Sequence, residues 1–183
     1  MEHIYEQDQF GENWFGYEEV YRSFVDEMKD GSTIVEVGCW KGKSISFLGV
    51  EIVNSGKNIK CYAVDTWRGS REHQGDPLVE EDRLYDLFLK NTESLNHIIL
   101  PIRKASVDVA KDFEDRSLDV VFIDANHDYI EVKKDIEAWL PKVKFGGIIS
   151  GHDYPGWDGV VRAVNEAFPV GVVLNQNCWI FRV

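Results

Sequence analysis

Apolar positions recur with two different spacings along this chain, and the two spacings alternate. Tyr17, Val20, Tyr21, Phe24 and Met28 fall at intervals of three and four, one face of a helix over 17–29. "TIVEVG" (33–38) is a short, almost continuous apolar run, the signature of a strand buried on both faces. The helix "KSISFLGVEIVN" follows and is closed by Ser55-Gly56. The same alternation gives strands near 59–65, 98–102, 118–124 and 146–151. The helices between and after them are "DRLYDLFLKN", "VDVAKDF", "YIEVKKDIEAWL" (stopped by Pro141) and "GVVRAVNEAF". The last two apolar runs, near 170–174 and 178–183, flank the polar "NQN" and predict an antiparallel hairpin.

Strand–helix alternation implies a parallel sheet covered on both faces. The expected fold class is therefore α/β: a doubly wound, Rossmann-like, seven-stranded mixed sheet closed by the C-terminal hairpin. The 183 residues suit one domain, with residues 1–30 as an N-terminal helical cap. The polar segment "TWRGSREHQGDPLVEED" (66–82) is expected to be a loop that lids the substrate, with Arg71 and His73 as acceptor contacts. The aromatic stretch "FGENWFGYEEV" is expected either to cover the pocket or to form a homodimer contact.

Ligands of open α/β sheets bind beyond the carboxyl ends of the strands, so chemistry is sought there. Four of the five ends carry acids: "VEVGCWKGKS", "VDTW", "IDANHDY" and "SGHDY". One Asp can be a helix cap. Four on one edge point to a ligand. Gly38 and Gly42 allow a tight turn and close backbone approach, and Glu36 suggests a cationic ligand group nearby. Trp40 stands where a GxGxxG dinucleotide motif has its second glycine, and no P-loop is present. Asp65, ending the second strand, suits a ribose diol, because a carboxylate accepts two hydroxyl bonds. Trp40 and Trp67 are read either as core aromatics or as walls of a nucleoside pocket.

These motifs resemble the class I S-adenosylmethionine-dependent methyltransferases, over about 33–183. "VEVGCWKGKS" resembles the cofactor loop, implying contacts from Glu36, Gly38, Trp40, Gly42 and Ser44. "AVDTW" resembles the ribose-binding acid and its neighbours, Asp65, Thr66 and Trp67. "KAS" resembles the segment beside adenine, Ala105 and Ser106. More narrowly, "FIDANHDY" with "GGIISGHDY" resembles the metal-dependent O-methyltransferases of the catechol and caffeoyl-coenzyme A type, with the macrocin-type sugar O-methyltransferases as further relatives. That resemblance implies Asp124 as a metal ligand bordering the cofactor and taking part in catalysis, His152 and Asp153 as further ligands, and His127 as the catalytic base where those enzymes carry a lysine. Two departures stand out: the cofactor loop lacks its middle glycine, and His-Asp replaces Asp-Asn. Mg²⁺ prefers oxygen ligands, whereas imidazole suits Mn²⁺, Fe²⁺ or Zn²⁺, so the implied divalent cation is Mg, Mn or another.

Composition narrows the partners. The net charge of −12 disfavours phosphate backbones and anionic lipid, so nucleic acid and membrane are not expected and a small-molecule acceptor, such as a sugar or polyol hydroxyl, is. Cys39, Cys61 and Cys178 form no CxxC pair and the first residues show no apolar leader, which reads as a cytoplasmic chain with reduced thiols. The competing readings are a metal-dependent oxygenase or hydroxylase on the same fold, a nicotinamide oxidoreductase and a non-catalytic cofactor-binding scaffold. The loop spacing and the hairpin count against the nicotinamide reading.

Overall fold

A computed structural model describes residues 1–11 and 14–183; Glu12 and Asn13, part of the aromatic N-terminal stretch, lie outside the described residues. The elements are α1 (Glu18–Glu27), β1 (Thr33–Val37), α2 (Lys43–Ser55), β2 (Lys60–Asp65), α3 (Pro77–Glu80), α4 (Leu84–Asn91), β3 (Ile99–Arg103), α5 (Ser106–Val109), β4 (Leu118–Ile123), α6 (Tyr129–Trp139), β5 (Val143–Gly151), α7 (Asp158–Ala167), β6 (Val173–Asn175) and β7 (Cys178–Arg182). The strands form one sheet in the order β3-β2-β1-β4-β5-β7-β6. All neighbouring pairs from β3 to β5 are parallel, and β7 runs antiparallel to both β5 and β6. The expected mixed seven-stranded sheet is therefore found. The hairpin turn is Gln176-Asn177, both at positive φ (48° and 60°), the backbone that a two-residue turn requires to match strand twist.

Period-two alternation divides the core. Ile34, Val120 and Phe122 face a cluster shared with α1, α2 and α4. Val35, Val37, Val121 and Ile123 face the opposite cluster, shared with α5, α6 and α7. Helix spacing answers this: Val20, Tyr21, Phe24 and Val25 of α1 are buried on one side, and Val132, Ile136 and Trp139 of α6 on the other.

Two boundaries differ from expectation. β5 begins at Val143 rather than near 146, because a bulge lets Leu118 pair with Val143 while Val120 pairs with Ile148; Gly146, at φ 78°, sits in the inserted stretch. The segment 66–82 is not plain loop. It contains a 3-10 turn (Arg71–His73) and the short α3, whose start is capped by Asp76 accepting from the Leu78 N–H at 2.8 Å. No helix among the described residues is long and apolar enough to cross a membrane.

Candidate active site

The sheet order reverses between β1 and β4, so a crevice opens where their carboxyl ends diverge. The two ends touch. Asp124 donates its N–H to Val37 O at 2.8 Å, and a Cβ on Gly38 (φ 86°) would lie 2.1 Å from the Asp124 carbonyl oxygen. Only glycine permits that approach and that φ together. The loop after Gly38 is then pinned by Asp65: Oδ2 accepts from the N–H groups of Cys39 (2.8 Å) and Trp40 (3.0 Å), and Oδ1 from that of Trp67 (2.8 Å). A carboxylate has about four acceptor sites, so Asp65 retains room for one hydroxyl rather than both hydroxyls of a diol.

A cavity of about 260 Å³ opens beside this loop, bordered by Gly38, Asp65, Thr66, Ser106, Asp124 and Asp135. Ala105 also borders it. A larger cavity of about 500 Å³ lies on the other side of Trp40, reached by Ser44, Asp124, His127, His152 and Asp153. Gly38, Trp40, His73 and Asp124 border both. One elongated ligand can therefore run past Asp124 from the first cavity into the second. The N-terminal stretch contributes Phe10, Trp14, Phe15 and Tyr17 to the larger cavity, and from the 66–82 segment come Glu72 and His73, the latter stacked on Trp40 at 4.0 Å.

Along the larger cavity, ligand atoms of Asp124, His152 and Asp153 all lie within 4.8 Å of one another. Two carboxylates and one imidazole at that spacing fit a divalent cation, and the mixed oxygen–nitrogen donors do not restrict it to Mg²⁺. Asp124 is held from beneath: buried Tyr17 donates its hydroxyl to Oδ2 at 2.8 Å. Burial raises the Asp124 pKa and neighbouring Asp153 adds to this, while His152 opposes it. His127 is clamped from two sides, Nε2 to Asp153 at 2.6 Å and Nδ1 to Glu72 at 2.9 Å, and it stacks on Trp157 at 4.5 Å. Desolvation works against the imidazolium, but those two carboxylates outweigh it and raise the His127 pKa to about 9. Partial burial likewise disfavours ionised Asp153, but its bonds with His127 and His152 hold the carboxyl well below the usual range.

A family profile described as "Methyltransferase domain" matches residues 35–154, more than half of the chain. The chain belongs to that methyltransferase family. The methyltransferase fold also accounts for the solved structures similar to it. The O-methyltransferase NovP superposes with a TM-score of 0.65 at 16% identity, covering 90% of this chain and 78% of that one. A SAM-dependent O-methyltransferase from Thermotoga maritima gives 0.59 at 16% identity, covering 85% and 50%. A curated relative, the uncharacterized protein y4gI of Sinorhizobium fredii (strain NBRC 101917 / NGR234), is 30% identical over 120 residues. The match takes in 66% of this chain but only 13% of that much longer protein. Other solved structures similar to it include a putative methyltransferase from Streptococcus mutans in complex with SAH, with a TM-score of 0.62 at 14% identity, covering 91% of this chain and 96% of that one.

Against this methyltransferase frame, the sequence-predicted residues separate into two groups. Gly38, Trp40, Ser44, Asp65, Thr66, Ala105, Ser106, Asp124, His127, His152 and Asp153 all border the paired cavities. Four others, Glu36, Gly42, Trp67 and Arg71, border neither cavity. Glu36 is 1% exposed and takes hydrogen bonds from Tyr21 (2.6 Å) and Ser44 (2.7 Å). It lies on the face of β1 that Ile34 occupies, beneath α1 and α2. Trp67 is wholly buried against Tyr85 and Phe88, with its indole N–H given to Trp40 O. Gly42 faces Thr92 and Phe88, 2.9 and 3.1 Å from where a Cβ would stand, so it serves packing and the left-handed start of α2. Arg71 borders neither cavity, whereas His73 does. Tyr17, Glu72 and Trp157 were not foreseen as site residues. Tyr17 belongs to an ordinary amphipathic pattern, and Glu72 is one acid among many.

Proposed function

We propose that this methyltransferase domain transfers the sulfonium methyl group of S-adenosylmethionine to a hydroxyl of a small molecule lodged in the larger cavity, with a divalent cation on Asp124, His152 and Asp153. The observation that carries this is the convergence of those three donors on the larger cavity, with Asp124 also bordering the smaller one. That two structural neighbours are O-methyltransferases supports oxygen as the acceptor atom. A cation there would acidify a ligated hydroxyl and orient it toward the methyl group. The protein's own part is placement and proton handling. Asp124 borders both cavities, Tyr17 fixes its carboxylate, and His127 stands beside the ligand set to receive the acceptor proton. His127 can act so only once deprotonated, which Asp153 and Glu72 resist while both face it. The lid role of 66–82 is supported by Glu72 and His73 bordering the cavity. Buried, unpaired cysteines are consistent with a reducing, cytoplasmic setting.

The test is metal-dependent turnover on a panel of small vicinal hydroxyl compounds, including sugars and catechols, before and after chelation. Asp124→Asn should abolish metal-dependent turnover while S-adenosylhomocysteine still binds within a few-fold of the parent. Full activity in chelator would remove the cation and leave a metal-free O-methyltransferase. Loss of nucleoside binding in the unmodified chain would defeat the cofactor assignment itself.

A further inference from the structure

A third cavity, of about 310 Å³, adjoins the larger one and shares Trp14, Trp40, Lys41, Glu72 and His73 with it. None of Asp124, His152 and Asp153 borders this outer cavity, so it is a compartment apart from the candidate cation site. The loop that carries Lys41 into it is held from behind. Trp40 O accepts the Trp67 indole N–H at 2.9 Å, and Lys41 O accepts from the buried Asn91 amide at 2.9 Å. Trp40 itself has a φ of 46°, an uncommon backbone for so bulky a residue.

The half-buried Lys41 ammonium lies 5.7 Å from the Trp40 ring centroid, and a Cβ on Gly11 would stand 3.3 Å from Nζ. Among the described residues no carboxylate or carbonyl pairs with it, although the chain carries 32 acids against 20 lysines and arginines. The acids on the same wall are engaged elsewhere. Glu72 meets His127 Nδ1 at 2.9 Å, and Asp76 Oδ1 accepts from the Leu78 N–H at 2.8 Å. Two further donors border the cavity. The Ser70 N–H donates to His73 Nδ1 at 3.1 Å, so the imidazole carries its proton on Nε2, which has no partner among the described residues. The Gln74 side-chain amide likewise has none.

We propose that the outer cavity is a subsite for an oxyanion of the acceptor, a carboxylate or a phosphate, with Lys41 as its counter-ion and the His73 Nε2–H and Gln74 amide as further donors. This rests on the acceptor reading of the larger cavity. Phe10, Trp14 and Trp40 supply apolar walls for the body of such a molecule, between its charged end and the hydroxyl to be methylated. A charge-assisted bond to an ammonium on a loop fixed in advance loses little to reorganisation, so the charged end should be read strongly.

The experiment measures binding by NMR titration, at low salt and with S-adenosylhomocysteine and Mg²⁺ present. Three probe pairs differ in one anionic group: 3,4-dihydroxycinnamate and its alcohol, glucuronate and glucose, and glucose 6-phosphate and glucose. At least one anionic member should bind about 10- to 100-fold more tightly than its neutral partner, and the carboxylate and phosphate pairs tell which oxyanion is taken. Lys41→Met should bring that ratio to near unity, and Lys41→Arg should keep most of it. Lys41→Gln carries the same expectation as the methionine variant should that one not fold. Lys41 does not border the smaller cavity, so S-adenosylhomocysteine affinity should stay within a few-fold throughout. The proposal is overturned if no anionic member outbinds its partner, whether both bind alike or neither binds. It is overturned equally by a preference that survives Lys41→Met, and one that survives there but vanishes in chelator would place the oxyanion on the cation instead. Failure of S-adenosylhomocysteine to bind the parent is a separate result and removes the cofactor reading beneath the acceptor site.

Discussion

Replacing Glu36 with glutamine should stabilise this protein at neutral pH, although it removes a residue from the cofactor loop's own strand. Glu36 is 1% exposed, and the hydroxyls of Tyr21 and Ser44 are its side-chain partners. No cation lies among the causes that set its pKa; burial dominates and raises it from 4.5 to about 8, against the two hydroxyl bonds. A raised carboxyl pKa means that the folded state keeps a proton the unfolded chain has already released. Stability attributable to this group is therefore full below about pH 4.5, falls as pH rises, and levels off above about pH 8. At about 1.4 kcal/mol per pH unit, the window between those two values sets an upper bound of about 5 kcal/mol. Rearrangement of the two hydroxyl donors brings the expected loss to about 2–4 kcal/mol, large beside a total stability of about 5–15 kcal/mol. Glutamine keeps the shape and supplies one acceptor and one donor, and it does not titrate. Urea unfolding of both proteins in chelator, every half unit from pH 4.5 to 8.5, gives a difference curve from which groups common to both largely cancel. The curve should rise in favour of Glu36→Gln across the window. A flat difference curve would refute the reasoning and mean that Glu36 is ionised in the folded protein.

Tyr17→Phe deletes the hydroxyl that fixes Asp124 at 2.8 Å; divalent-cation affinity should drop by about 10- to 100-fold with nucleoside affinity unchanged, as calorimetry with Mn²⁺ and with S-adenosylhomocysteine can show. In chelator-treated protein, His127 should titrate near pH 9 by imidazole NMR, since Asp153 and Glu72 hold its proton. The stability it contributes should be complete below its ordinary value of 6.5 and be lost as pH rises toward about 9; His127→Gln should abolish that decline, and an ordinary imidazole titration would count against the clamp.

The fold was legible because it is written in spacing. The apolar runs of β1 and β4 and the three-and-four spacing of α1 and α6 are local signals that the tertiary structure reinforces. What spacing could not convey was the bulge in β5. The stretch "VKFGG" before Ile148 pairs with β4 only at Val143, and Phe145 ends up 81% exposed despite its hydrophobicity. An exposed aromatic beside a left-handed glycine reads locally as loop.

The site was legible to the extent that position along a strand decides function, and it failed where the face of the strand decides instead. Asp65, Asp124 and Asp153 lie at or just past strand ends, where the chain leaves the sheet and side chains turn toward the crevice. Glu36 is still within β1, one residue short of its end, and there period two sends its side chain to the side of Ile34 and Tyr21. One residue of register thus separates a ligand-facing acid from a buried one. Trp67 failed for a related reason. Its backbone N–H binds Asp65 at the edge of the site, but its φ of 51° swings the indole back into the core. Asp135 could not be found by strand-end reasoning at all, since α6 brings it to the cavity from the middle of a helix, and only the packing of α6 against α5 puts it beside Ser106. Acids at strand ends identify the crevice; the helices that flank it decide which other groups reach its far wall.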